Sequence, residues 1–313
     1  MNSLLGSVLV ALLGFMVACQ NAGGDVPGTE SLAQRAERPS FRAAEAFAHL
    51  ERQVAFGPRV PGTAGHGAQL EWMRQFLDER ADTVIEQPFT HRTAAGDVLR
   101  MTNVFARFRP EATRRILLLA HWDTRPAADQ DPDPANRRLP VPGANDGASG
   151  VAVLLELADM FARQLPPIGV DILLTDGEDY GPDTEDMFLG ARYFAANLPG
   201  GYRPLYGVLL DMVANRNPRF PIEGYSNRYA PDVARRVWEV ARQLGYADVF
   251  PAQVGPTVQD DHVPLNQAGI RTINIIDMEY PYWHTVRDVP ENTSPETLRI
   301  VGEVVAELVY RGG

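Results

Sequence analysis

Residues 115–123 read RILLLAHWD: a basic residue, four aliphatic residues and Ala120, then His121, Trp122 and Asp123. A continuous apolar run this short, ending abruptly in polar residues, is the pattern of a strand buried on both faces. The same design recurs along the chain. Gly169–Thr175 (GVDILLT) runs into Asp176-Gly177-Glu178-Asp179, and Leu205–Met212 carries Asp211 near its end. Arg271–Asp277 is followed by Trp283-His284-Thr285. Between and around these runs, apolar residues at three-to-four spacing predict helices over 41–54, 65–81, 147–163, 184–197, 229–244 and 295–310, with a short one over 262–268. Two further strands, Thr83–His91 and Met101–Phe108, face each other across a Gly96-Asp97 turn. Alternating buried strands and helices predict an α/β fold, a three-layer α/β/α sandwich with a mostly parallel mixed central sheet. The one long irregular stretch is Asp123–Asn145, and a loop of that length inside a domain is often functional.

Composition narrows the chemistry. The chain has 313 residues, 45% of them hydrophobic, enough for one large core. Its net charge is −11, and all 29 basic residues are Arg. With no lysine, Schiff-base chemistry, pyridoxal enzymes and Walker-type phosphate loops are excluded. The acidic balance and the lack of an Arg-rich run argue against a nucleic-acid partner. The single cysteine excludes intrachain disulfides and a Cys-rich metal site.

The N-terminus reads as a targeting segment. Residues 4–18 (LLGSVLVALLGFMVA) are too short for a comfortable membrane span and suit a signal core ahead of Met16-Val17-Ala18-Cys19. The expectation is a lipoprotein-type signal over 1–18, acylation of Cys19, a tether over 19–40 and a single catalytic domain over 41–313. The alternative is an ordinary secretory signal with an incidental cysteine. Either way the protein is expected to be exported. An acylated Cys19 would anchor it on the periplasmic side of a bacterial membrane, and Gln20 favours the outer one. Nothing in the sequence suggests a tight oligomer, so a monomer is expected.

Polar residues gather where the buried strands end, which is where open α/β sheets build their sites. The clusters are His121-Trp122-Asp123, Asn145-Asp146, Glu178-Asp179, Asp211, Asp260-Asp261-His262 and Trp283-His284-Thr285. A single Asp at a strand end is ordinarily a turn former or helix cap, but six such clusters together point to a shared metal site. Carboxylate and imidazole without thiolate suit a catalytic zinc with an open position. Neighbouring side chains point differently, so Asp179 can bind metal while Glu178 handles protons.

These residues resemble the zinc aminopeptidase superfamily, and within it the bacterial glutaminyl-peptide cyclotransferases. The likeness spans about residues 41–311. It rests on AFGPRVPGTAGH (55–66), LLLAHWDTRP (117–126), GANDGASGVAVLLELA (143–158), DGEDYG (176–181), FLGARYFA (188–195), LLDMVANRNPRF (209–220), DDHVPLNQAGI (260–270) and WHTVRD (283–288). The resemblance implies a zinc-aminopeptidase-like fold, one zinc per chain on Asp146, Asp179 and His284, and Glu178 as general acid/base with Asp211 and Asp260 as hydrogen-bonded partners. It implies Trp283, and less strongly Tyr280, as pocket walls. Asn274 stands where animal cyclases have a His, and the loop after Glu178 lacks their pocket tryptophan. The implied reaction closes an N-terminal Gln of a peptide or protein into pyroglutamate with release of ammonia. The alternative is a two-metal aminopeptidase, with His121 and Asp211 holding the second ion.

Other polar and aromatic residues carry plainer expectations. His49, His66 and His91 read as surface or structural, Trp72 and Trp238 as core, and Trp122 as either packing or pocket lining. Asp129, Asp131 and Asp133, spaced by prolines, read as a solvated part of the long loop.

Overall fold

Alternate residues of the strand at 115–121 enter two different cores. Ile116, Leu118 and Ala120 join one buried cluster, and Leu117 and Leu119 join another. The structure, a computed structural model, describes residues 38–313. The expected signal, Cys19 and nearly all of the tether fall outside the described residues.

Six strands form one sheet: β1 (Thr83–Arg92), β2 (Val98–Phe108), β3 (Arg115–His121), β4 (Gly169–Thr175), β5 (Gly207–Asp211) and β6 (Thr272–Ile276), in the order β1-β2-β4-β3-β5-β6. The β4/β3, β3/β5 and β5/β6 pairs are parallel, and β1/β2 and β2/β4 are antiparallel. The hairpin turns at Gly96, whose φ of 94° suits glycine. The eight helices of the described residues are α1 (Ala43–Ala55), α2 (Ala64–Asp78), α3 (Ala148–Arg163), α4 (Leu189–Ala196), α5 (Gly224–Tyr229), α6 (Pro231–Gln243), α7 (His262–Gln267) and α8 (Pro295–Tyr310). Helices α1, α3, α6 and α8 pack together over the larger core. Phe194 of α4 and Leu265 of α7 fill the other face with Phe105, Leu117, Leu119 and Leu209. Helices on both faces of a mixed sheet make the expected α/β/α sandwich. Among the described residues, no helix is long and apolar enough to cross a membrane.

Two expected helices are broken, each for a local reason. The helix expected over 184–197 is a 3-10 turn at Thr184–Asp186 followed by α4, because Phe188 takes a left-handed φ of 58° between them. The helix expected over 229–244 is α6 preceded by α5. Proline disfavours helical geometry in the residue before it, and Ala230, ahead of Pro231, sits at φ −140° and ψ 52°. Helix α5 is too short to show a period, and Glu223 caps it by accepting from the amides of Tyr225 and Ser226.

Candidate metal and proton-transfer site

The parallel strands β3, β4, β5 and β6 all deliver their carboxyl ends to one edge, and the candidate residues meet there. His121 closes β3 in register with Thr175 of β4, and Asp211 closes β5. Glu178 and Asp179 follow β4, Asp146 precedes α3, Asp260 precedes α7, and His284 follows β6. The backbone is strained at Met212 (φ 49°) and His284 (φ 53°). Left-handed geometry in a non-glycine residue costs about 1–3 kcal/mol and clusters at functional sites.

Two buried aspartates clamp the loops that carry the candidates. Asp123 accepts from the amides of Glu178 (3.0 Å) and Asp179 (3.1 Å). Asp288 accepts from the amides of Asn145 (2.8 Å) and Asp146 (3.0 Å). The buried Arg59 guanidinium holds the same Asp146 loop through the carbonyls of Pro142 and Gly143. Gly150 lets α3 approach the sheet: a Cβ there would lie 2.1 Å from the Leu210 carbonyl oxygen. The Asp-x-x-Ser-Gly motif is therefore a close-packing device that sets Asp146 beside Asp211.

Two overlapping triads have the spacing of a metal site. In each of Asp146/Asp179/His284 and His121/Asp146/Asp211, the three ligand atoms lie within 4.8 Å of one another. The triads differ in how their atoms are engaged. Arg125 donates to Asp179 Oδ1 at 2.9 Å and is itself held by Asp129, which also faces His284 Nδ1 at 3.2 Å. Those contacts leave Asp179 Oδ2 buried without a partner. They also turn His284 Nε2 toward Asp179 (3.3 Å) and Asp146 (3.6 Å). A carboxylate behind a ligating imidazole is the usual support of a metal-bound His, so the first triad fits a divalent cation. In the second triad, His121 Nε2 already sits 3.1 Å from Asp146 Oδ1 and 3.2 Å from Asp211 Oδ1.

Glu178 is buried, with His121 Nδ1 3.9 Å from its carboxylate. The expected hydrogen bonds to it from Asp211 and Asp260 are absent among the described residues. Asp211 pairs with His121, while Asp260 accepts from Asn274 Nδ2 and the Asp261 amide, both at 2.6 Å. Asp260 acts on Glu178 without a hydrogen bond, its negative charge opposing ionisation of Glu178. Burial pushes Glu178 well above the usual carboxylate range; His121 pulls it down, and Asp260 and Asp179 push it further up. Burial and then Asp211 push Asp260 up strongly. Burial also lifts Asp211, with His121 opposing. For His121 burial opposes the charge, but Asp123, Asp146 and Asp211 outweigh it and hold the imidazole well above its ordinary value. A divalent cation among these groups would lower all of them.

The cluster opens into a cavity of about 70 Å³, with Glu178 and Asp260 on its lining and Trp283, Val258, Ile276 and Met278 as apolar walls. Trp283 is 37% exposed and packs on the His284 ring at 4.0 Å between centroids. Tyr280, expected on the wall, does not line the cavity. It is buried and donates to Asp288 at 2.8 Å, bracing the Asp146 clamp instead.

The long loop departs from its solvated reading at Asp129 and Asp131, while Asp133 is exposed as expected. Asp129 joins Arg125 to His284, and the buried Asp131 accepts from the Val286 amide at 3.1 Å, so the loop fixes the His284 segment. The Arg125-to-Asp129 spacing of four was its only sequence signal. Asp123, Asp288 and Arg59 acquire their roles only through contacts far along the chain. His66 is structural, stacked on Trp122 at 4.3 Å and bonded to Asp176 at 3.0 Å. Trp122 is fully buried and packs rather than lining the cavity. Trp238 is core and Trp72 half-buried against it.

The chain is similar to known proteins in both sequence and fold. The family model described as Peptidase family M28 matches residues 103–309. A Bacteroides thetaiotaomicron glutaminyl cyclase, solved with N-acetylhistamine, is 39% identical with a TM-score of 0.86, over 88% of this chain and 100% of that one. A structure described as a leucine aminopeptidase precursor from the same organism is 40% identical with a TM-score of 0.87, over 88% of this chain and 99% of that one. The glutaminyl-peptide cyclotransferase of Bos taurus is 26% identical over 80% of this chain and 77% of its own length.

Proposed function

The chain belongs to peptidase family M28, and from that premise we propose that it is a zinc-dependent glutaminyl-peptide cyclotransferase acting on peptides and proteins with N-terminal Gln. The observation that carries the reading is the asymmetry of the two triads. One leaves a buried carboxylate oxygen unpartnered beside His284, while the other is drawn in on His121 at hydrogen-bond distance. That supports a single zinc on Asp146, Asp179 and His284, with His121 and Asp211 serving the proton network. The likeness to a solved glutaminyl cyclase supports the cyclase activity.

The substrate's own α-amine is the nucleophile. It attacks the side-chain carboxamide carbon, a C–N bond closes the five-membered lactam, and the bond to the amide nitrogen breaks to release ammonia. Zinc, when bound, supplies Lewis acidity to the carboxamide oxygen. Glu178 takes the proton from the attacking amine and returns it to the leaving nitrogen, a relay worth roughly 10²–10⁴-fold. Burial raises the proton affinity of Glu178, a bound cation would draw it back down, and a value between those extremes suits both halves of that task. Trp283, Val258, Ile276 and Met278 form the apolar part of the cavity wall, and once substrate fills the cavity they exclude water and favour the intramolecular amine.

The second reading is a two-metal aminopeptidase, favoured by the spacing of the His121/Asp146/Asp211 triad. A paired assay separates the two. Loss of ammonia from an intact Gln-initiated peptide, with no cleavage of amino-acyl amides, supports the cyclase. Release of free N-terminal residues, with two metals bound, overturns it. The apolar run at 4–18 ahead of Cys19 supports export and lipid anchoring at the periplasmic face, the outer membrane favoured by Gln20. Retention of Cys19→Ser in the membrane fraction would refute acylation as the anchor.

A further inference from the structure

A second concavity adjoins the small cavity and shares two wall residues with it, Ile276 and Met278. It measures about 280 Å³ against about 70 Å³. The small cavity is sized for one short side chain, so the rest of a peptide that places its first residue there must leave it. The larger groove is the concave surface that continues from the shared wall.

Its character fits a peptide tail. Pro221, Gly255, Pro256 and Met278 present apolar surface, and the Arg219–Glu279 ion pair (3.2 Å) leaves no net charge on their side of the rim. Two exposed apolar side chains mark this path: Trp283 (37%) lines the small cavity and Met278 (36%) lines both concavities. Single exposed apolar residues need no explanation, but neighbouring ones leading from a site mark a contact surface. The groove is also preformed. A Cβ on Gly255 would lie 2.5 Å from Pro221 Cγ, so the two segments are in tight contact. Beneath them Glu223 accepts from the amides of Tyr225, Ser226 and Val258, and His262 Nε2 lies 3.0 Å from it. A rigid apolar groove spares the ordering cost that weakens peptide binding.

We propose that this groove is the subsite for the second and third residues of the substrate, and that it selects apolar side chains there. The proposal rests on the cyclase reading. The test is steady-state kinetics on the zinc-loaded protein with three substrates: glutaminamide, Gln-Leu-Phe-amide and Gln-Asp-Asp-amide. The expected result is a kcat/KM for Gln-Leu-Phe-amide about tenfold above the other two, carried by KM, the size expected for apolar pocket contacts. Gln253→Trp, at an exposed lining position, removes that advantage and leaves glutaminamide turnover unchanged. Pro256→Trp does the same from a second position. Equal rates for the two peptides, or an advantage that survives both variants, overturn the subsite. Equal losses on glutaminamide and peptide in both variants do so too, since they report a general structural effect. Absence of cyclisation of all three substrates by the unaltered protein overturns the cyclase reading, and the subsite with it.

Discussion

Replacing Glu178 by Gln tests the proton relay directly. The backbone at 178 is fixed by Asp123, which accepts from its amide at 3.0 Å, so the loop should hold its course. The side chain makes no hydrogen bond among the described residues, and its nearest opposite charge is His121 Nδ1 at 3.9 Å. The amide keeps the shape and removes the proton acceptor. The metal triad of Asp146, Asp179 and His284 is untouched. The expected loss is therefore the relay contribution, about 10²–10⁴ in kcat, or about 3–5.5 kcal/mol of transition-state stabilisation. KM should change by less than about threefold, because the relay acts on the transition state rather than on ground-state binding. Burial, the largest cause, disfavours its ionised form. A neutral Gln carries no such desolvation cost, so the variant should melt at the same temperature as the parent or higher. The assays are coupled ammonia release, zinc content by mass spectrometry and a thermal melt. A variant that keeps more than about a tenth of kcat would place the base elsewhere. A variant that loses its zinc would make Glu178 a ligand.

Three further outcomes follow from the same geometry. Asp129→Asn weakens the support of both His284 and Arg125, so zinc affinity should fall about 10–100-fold with activity recovering in excess zinc; chelator competition measures it, and unchanged affinity would remove Asp129 from the metal support. Burial opposes ionisation of Glu223, but His262 and the Val258 and Tyr225 amides hold its pKa down to about 2 against an ordinary 4.5. Its stabilising contribution is present above pH 4.5 and lost as pH falls toward 2, so Glu223→Gln should be less stable at neutral pH and show a flatter acid limb in denaturant titrations. Gly150→Ala places a methyl 2.1 Å from the Leu210 carbonyl oxygen and should cost about 1–3 kcal/mol or more, read as a fall in melting temperature.

Much of the scaffold was legible because its signals are local. The runs at 115–121 and 169–175 are strands with the expected ends, since a short, fully apolar run has few other stable uses. Helix α8 also matches its expected span, with Ser294 capping and Pro295 opening it. Helix α5 and the break at Phe188 were not legible. Six residues capped by Glu223 carry no readable period, and a left-handed phenylalanine has no composition signal.

The site divides along the same line. Sequence by itself supplied the donor types, the exclusion of lysine and thiol chemistry, and the placement of Glu178, Asp179, Asp211 and His284 at or after strand ends and of Asp146 and Asp260 ahead of helices, because strand polarity fixes which end faces the site. Only tertiary structure decided which atoms are spoken for. Arg125 occupies one oxygen of Asp179 and leaves the other free, His121 is drawn between Asp146 and Asp211, and Tyr280 turns away from the cavity to brace Asp288. Those assignments depend on contacts between residues 8 to 90 positions apart. Hydrogen bonding is directional and short-ranged, so which partner each carboxylate takes is set by packing in three dimensions and leaves no mark on spacing along the chain.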